Sequence, residues 1–426
     1  MAKVMIWPDV YREHGHWLPA VNLAKSLKDA GHTVEFMGIP DCASIVSPYG
    51  ATFRPVLGGI YPVGHTLNDR LEPVGQRWKP HHLLPMCRGQ GGMAELFAAG
   101  VRPNVLVAGY FAGLEALILH HKYQVPIVLL TTYLRHPDEE PALFAKTKLL
   151  FMHEQVAQKI MNVAMGKVGT DATLEEFLAP LEQAKELIPC PRDFDYFDDD
   201  WEHGSSVTYV EPMVTRVPLD PAITLPTNPT NLNPAIPTEG KKIIFATSGS
   251  QVADYEDKAR QYFQALIGMM QTPGMEGYHL VLAMGDKLLA ELNVLYQVDI
   301  GKSSLPSNVT LSAWVSQLEI LKTAEVVFMH GGLATIKESI WEQVPIVIFP
   351  HGKDQMDNAL RIERAGIGIA PKVDVMTPQA LRQALTQVTA SPWIKQRLEG
   401  MRALFAAKDA QSPKPSVQII INAASA

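Results

Sequence analysis

The sequence predicts an α/β protein built from two doubly wound domains, each a parallel sheet covered by helices on both faces. Three observations carry this. Short apolar strands alternate with amphipathic helices in the first half, the alternation restarts at Lys242, and a proline-rich interval lies between. The 426 residues suffice for two or three domains with cores of their own.

Val4 to Trp7 reads as the first strand. Pro19 to Asp29 is helical, with Val21, Ala24 and Leu27 on one side and Lys25 and Lys28 on the other. Gly31 stops that helix, and Thr33 to Met37 is the next strand, completing a βαβ unit. Val105 to Val107 and Ile127 to Leu130 are further strands separated by a helix. In the second half, strands fall at Ile243 to Ala246, Leu280 to Ala283, Val309 to Leu311, Val326 to Met329 and Ile346 to Phe349. Helices fall at Tyr255 to Met270, Gln317 to Thr323 and Leu333 to Trp341. Val217 to Gly240 holds Pro218, Pro221, Pro226, Pro229, Pro234 and Pro237 among Asn and Thr, which makes neither a helix nor a central strand. The expected division is therefore 1–216, a linker at 217–240, a second domain at 241–400, and a C-terminal helix over 401–426 that packs back on the first domain. Ligands of such sheets bind beyond the carboxyl ends of the strands, which puts the site in a cleft between the two domains.

Composition excludes several classes. The chain is 47% hydrophobic and 19% charged with net charge -7, and its Lys and Arg are scattered, which speaks against a nucleic-acid partner. Cys42, Cys87 and Cys190 lie far apart with no CxxC pair, which fits a reducing cytoplasm and no cysteine-built zinc site. The N-terminus reads as a strand and not as a signal peptide. No run of about 18 apolar residues is present. The nearest, Val105 to Leu119, contains Gly109, Gly113 and Glu115 and reads as a buried strand entering a helix. Asp193-Phe-Asp195 and Asp198-Asp-Asp200 have DxD spacing but lie in a loop-like stretch and read as a solvated acidic surface. The adjacent pairs His81-His82 and His120-His121 point apart on a helix and do not favour a shared metal. Dinucleotide and P-loop glycine motifs are missing.

The chemistry-bearing segment is Trp314 to Asn358. Val326-Val-Phe-Met-His330 is a strand that delivers a histidine at its carboxyl end, followed by Gly331-Gly332 and at once by a helix. The glycines let the backbone approach a diphosphate, and the helix start offers free N–H groups and a positive dipole end. Thr335 lies in the first turn, where its hydroxyl can reach an oxyanion. Upstream stands Trp314-Val-Ser-Gln317; downstream stand Glu338 and Pro350-His-Gly-Lys-Asp354-Gln355-Met-Asp-Asn358. The order W-x-x-Q, H-G-G, E, P, D-Q, N resembles the donor-binding signature of the family 1 inverting glycosyltransferases, the UDP-glycosyltransferase and bacterial natural-product superfamily. A Gly-His pair near the N-terminus, the Thr247-Ser-Gly-Ser250 turn and the Thr377-Pro-Gln-Ala-Leu helix extend the likeness more weakly along the chain.

The resemblance implies the GT-B fold, two Rossmann-like domains facing across a cleft, and a nucleoside-diphosphate sugar as co-substrate with no cofactor or metal. It implies that Trp314 stacks on the base while the Val315 backbone reads its edge. Gln317 and Glu338 would bind the ribose. His330, Gly331, Gly332, Thr335 and Ser250 would lie around the diphosphate, and Asp354 and Gln355 would bind sugar hydroxyls. Plainer roles exist: Trp314 as core, Glu338 as an exposed helix charge, Asp354 as a helix N-cap. Ala334 stands where relatives often have Asn, and Leu333 where many have an aromatic residue or Asn, so the phosphate and sugar contacts differ here.

In Glu13-His14-Gly15-His16-Trp17-Leu-Pro19 the same resemblance makes His16 the general base. An imidazole suits proton abstraction near neutral pH. Many relatives hold that histidine with an aspartate at the end of a later strand, but Val105-Leu-Val-Ala-Gly109-Tyr110-Phe111 has none. Glu115 is the expected substitute, with Tyr110 as a weaker orienting group or a histidine that works without a carboxylate as the alternatives. The expected activity is inverting transfer of a hexose or deoxyhexose, such as glucose or rhamnose, from a UDP- or dTDP-linked donor. The acceptor is a small apolar or amphipathic natural product or lipid, bound against Trp17, Tyr110, Phe111 and the stretch Leu143 to Met152. A monomer or homodimer with at most peripheral membrane contact is expected. The rival expectations are a nucleotide-sugar epimerase and a non-catalytic homologue acting as a partner protein.

Overall fold

The computed structural model describes the chain except residues 66–79, 169–170, 197–202, 215–239, 250–251, 299–304, 372–375 and 426. It divides into two compact units, Met1–Leu225 with Lys408–Ala426, and Pro226–Ala407. Both are α/β units on parallel sheets, as the strand–helix alternation requires. Residue 217–239 of the proline-rich interval lies outside the described residues.

The first sheet has seven strands in the order β3-β2-β1-β4-β5-β6-β7, all pairs parallel. They run β1 Lys3–Trp7, β2 Thr33–Gly38, β3 Phe53–Pro55, β4 Val105–Gly109, β5 Ile127–Leu130, β6 Lys185–Ile188 and β7 Val207–Tyr209. The central three are near-continuous apolar runs because helices cover both faces. The order reverses between β1 and β4, where Trp7 pairs with Ala108. This switch point opens a crevice beyond the strand ends. The helix His14–Asp29 starts five residues earlier than Pro19 because the turn after β1 folds directly into it.

The second sheet has six strands in the order β10-β9-β8-β11-β12-β13, again all parallel. They are β8 Lys242–Thr247, β9 Tyr278–Ala283, β10 Val309–Ser312, β11 Ala324–Met329, β12 Ile346–Ile348 and β13 Gly368–Ile369. Its switch point lies between β8 and β11, where Thr247 pairs with Met329.

The last helix, Pro415–Ser425, packs against β4, β5 and the helix His14–Asp29. Val417 and Ile420 join the core there, and Ser416 Oγ donates a hydrogen bond to the buried Glu211 carboxylate. Among the described residues no helix is long and apolar enough to cross a membrane. All three cysteines are buried and free.

Candidate functional site

His16 sits in the first turn of the helix that follows β1, so the β1–β4 switch point carries it. Its Nδ1 lies 2.5 Å from Asp9 Oδ2, with the histidine side chain 17% and the aspartate 6% exposed. Asp9 Oδ1 also accepts the Tyr11 backbone N–H at 3.1 Å, which fixes the carboxylate on its own turn. The Phe111 ring stacks on the imidazole with centroids 5.0 Å apart. Phe111 in turn stacks on Tyr133 and meets Tyr110 and Phe144 edge-on. A carboxylate at Nδ1 keeps the proton of the neutral ring on that nitrogen, so Nε2 is the atom suited to take one.

The carboxylate expected from the β4 side is therefore corrected. Glu115 is fully buried, accepts His82 Nε2–H at 2.9 Å, and lies 3.4 Å from Lys148 Nζ. Burial works to raise its pKa, but the Lys148 charge and the His82 bond outweigh it and bring the carboxyl to about 2. Tyr61 Oη completes the network at 2.7 Å from His82 Nδ1. Glu115 thus ties helices together and does not orient His16. Tyr110 does not either: its hydroxyl donates to the Glu139 carbonyl at 3.2 Å, and it reaches the imidazole only through Phe111. Asp9 was the residue to look for, and its available signal was a carboxylate two residues past the end of β1.

Trp17 is corrected too. It is fully buried, donates Nε1–H to the Tyr11 carbonyl at 2.9 Å, and packs against Phe36, Phe53 and Gly38. Helical spacing turns it away from His16 into the core, so no acceptor can touch it. Leu143, Leu150 and Phe151, in contrast, are exposed.

In the second unit the switch point brings two glycine turns onto one imidazole. His330 follows β11, and a Cβ on Gly249 would stand 2.4 Å from its Cε1 while one on Gly332 would stand 2.7 Å from its Nε2. Gly249 also has φ +71 and Gly331 φ +108, which side chains avoid. Burial, then the neighbouring His351, lowers the His330 pKa to about 3, so the ring is neutral. The Thr247 backbone, which hydrogen-bonds the ring, works in the other direction and is outweighed. His351 is lowered to about 4, mainly by burial.

Gly332 caps the helix Leu333–Glu342, which carries Thr335 and Glu338 one turn apart. Gln317, at the start of its own helix, donates Nε2–H to Thr335 Oγ1 at 3.1 Å and to Glu338 Oε2. Three of the expected donor contacts are thus one hydrogen-bonded cluster. Burial raises the Glu338 carboxyl to about 7, against the Gln317 bond and the Lys337 charge, so it is not an exposed helix charge. Trp314 is 44% exposed and is not core, whereas the Val315 side chain is buried.

Asp354 occupies the N-cap position of the helix Gln355–Ala365 but makes no side-chain cap bond. Its Oδ2 accepts Asn358 Nδ2–H at 3.0 Å instead, and the same amide donates to the Gly331 carbonyl at 2.9 Å. Gln355 Oε1 accepts the His351 and Gly352 backbone N–H groups at 2.7 and 3.2 Å. That oxygen shapes the loop, and the sugar contact expected of this side chain falls to its amide N–H groups. Ser250 lies outside the described residues, as do Asp198 to Asp200. Asp195 is buried and accepts Tyr209 Oη–H at 2.5 Å, so it is no solvated surface charge. Among the described residues no group of three or more His, Cys, Asp or Glu could hold a metal ion.

Residues 284–422 match the family described as Erythromycin biosynthesis protein CIII-like, C-terminal domain. An uncharacterised UDP-glucosyltransferase of Bacillus subtilis is 32% identical over 148 residues, 35% of this chain and 33% of that protein. The oleandomycin glycosyltransferase of Streptomyces antibioticus is 28% identical over 177 residues, 40% of this chain and 36% of that protein. The alignments thus span about a third of the length of these curated relatives. In fold, the chain is similar over 99% of both chains to the glycosyltransferase VinC solved in complex with dTDP, with TM-score 0.64 at 17% identity.

Proposed function

We propose that the chain is a family 1 glycosyltransferase of GT-B fold, and that it moves a hexose or deoxyhexose from a UDP- or dTDP-linked donor to an acceptor hydroxyl with inversion. The observation that carries the donor half is the single cluster formed by Gln317, Thr335 and Glu338 on the helix that begins at the His330–Gly332 turn. A helix start suits a diphosphate, and a carboxylate beside an amide suits vicinal hydroxyls. The half-exposed Trp314 indole offers a flat face for the base. The dTDP bound by VinC supports this class of donor.

In the reaction proposed, His16 Nε2 takes the acceptor O–H proton while that oxygen bonds to the anomeric carbon. The anomeric C–O bond to the diphosphate breaks, and its electron pair leaves with the nucleoside diphosphate. The neutral His330 and the helix N–H groups receive the leaving charge, so no metal is called for. The acceptor is a small apolar or amphipathic molecule bound beside Phe111, which stacks on His16, and Tyr133, which stacks on Phe111.

The test begins with a thermal-shift screen of UDP, dTDP, UDP-glucose and dTDP-rhamnose. A ligand of the folded state raises the midpoint. The donor that binds is then incubated with and without phenolic and macrolide-type acceptors, and nucleoside diphosphate release is followed. Acceptor-dependent release that His16→Ala abolishes is the expected result. Undiminished release by His16→Ala would refute the mechanism, and an altered sugar without any acceptor would indicate epimerisation.

A further inference from the structure

The strands β1 and β4 are parallel neighbours in register, Trp7 beside Ala108, so the chain leaves β1 at Pro8 alongside Gly109. A Cβ on Gly109 would stand 1.7 Å from the Pro8 carbonyl oxygen and 2.6 Å from its carbon, distances that no side chain tolerates. Gly109 has φ -72 and ψ 158, which any residue adopts. Glycine is therefore required there for space and not for backbone freedom. The Pro8–Asp9 turn fills the volume that a side chain at the end of β4 would need. One residue further on, Asp9 reaches His16 Nδ1 at 2.5 Å and is steadied by the Tyr11 N–H. Phe111, two residues beyond Gly109, covers the face of the same imidazole.

We infer that Asp9 is the positioning residue for His16, and that it can reach that place only because residue 109 has no side chain. The inference rests on His16 being the base. The carboxylate that orients the imidazole then comes from the turn after β1, and β4 contributes an empty position and an aromatic cover. Asp9 holds the proton of the neutral ring on Nδ1 and stabilises the imidazolium once Nε2 has taken the acceptor proton. Tyr11, Arg12, Glu13 and His14 lie on the same stretch, and Asp41 and the buried Cys42 lie near it, the thiol being pushed well up by burial and then by the Asp9 charge.

The test uses the full chain with ring-labelled histidine, the His16 signal being assigned from its loss in His16→Ala. Asp9→Asn keeps the shape and removes the charge. The His16 titration is expected to move to lower pH, because the imidazolium loses its counter-charge. The kcat is expected to fall on the order of 100-fold, with the donor KM unchanged. Asp9→Glu is expected to restore part of the kcat. Gly109→Ala removes no charge, yet it is expected to give the same two effects by pushing the Pro8–Asp9 turn away. If Asp9→Asn leaves both the titration and kcat at their wild-type values, the inference is overturned. If His16→Ala retains turnover while Asp9→Asn still moves the titration, the contact stands and the assignment of the base falls.

Discussion

Gly249 and His330 offer a sharp energetic test, because one atom pair dominates the outcome. Gly249→Ala adds a methyl group at φ +71, and left-handed backbone costs an alanine about 1–2 kcal/mol. The new Cβ also stands 2.4 Å from His330 Cε1, and the three atoms nearest to it all belong to that ring. Forcing a packed ring aside costs a further ~1–3 kcal/mol. The single variant should therefore lose about 2–5 kcal/mol of unfolding free energy. In a His330→Ala background the ring is gone, and only the backbone cost of about 1–2 kcal/mol remains. The double-mutant cycle should then show a coupling of about 1–3 kcal/mol. Urea unfolding of the four proteins, followed by circular dichroism at constant m, measures it. A coupling below about 0.5 kcal/mol would mean that the glycine is not there to admit the imidazole. Nucleoside diphosphate affinity should fall in Gly249→Ala as well, since the displaced ring is the proposed diphosphate contact.

The remaining predictions concern the donor cluster. Trp314→Ala should weaken nucleoside diphosphate binding by about 1–3 kcal/mol, the worth of one base–aromatic stack, while unfolding free energy changes by less than about 0.5 kcal/mol because the side chain is half exposed. Calorimetry that finds equal affinity would remove Trp314 from the site. Glu338 has a folded-state pKa of about 7 against an ordinary 4.5. The folded chain therefore holds the extra proton between these values, and stability should decline as pH rises through that window and level off above about 7. Glu338→Gln should flatten the decline. Donor binding should strengthen over the upper part of the same range, as the carboxylate becomes able to accept ribose hydroxyl protons. Unchanged pH profiles in Glu338→Gln would contradict both statements.

Strand positions were legible because parallel strands buried on both faces are uninterrupted apolar runs, and β1, β4, β5, β8 and β11 all have that form. The short or mixed strands were not: β13 is two residues, and β6 carries Glu186, whose burial is balanced by Arg135 at 2.7 Å and by the Thr131 hydroxyl. The glycine pair after His330 is a weak signal by itself, and the turn was legible through its context, the order of Trp314, Gln317, Glu338, Asp354 and Gln355 around it. Side-chain partners were harder to read. Nothing local in Glu115 announces that His82 and Lys148, each 33 residues away, will claim it. Trp17 and His16 are adjacent in sequence, yet the helix sends one into the core and the other to the strand ends. Asp9 was hidden differently, because its role depends on the empty position at Gly109, and a space has no letter in a sequence.

The return of Pro415–Ser425 to β4 has a consequence for engineering. The unit that begins the chain also closes it, so the proposed donor-binding unit is an insertion within its partner and not a tail appended to it. Exchanging donor preference with a relative would mean replacing an internal cassette, with one seam near residue 226 and another near 407, and leaving the final helix native. A chimera cut at the proline-rich stretch alone would carry a foreign last helix. It would have to rebuild the contacts of Val417, Ile420 and Ser416 against a core that never evolved to receive it.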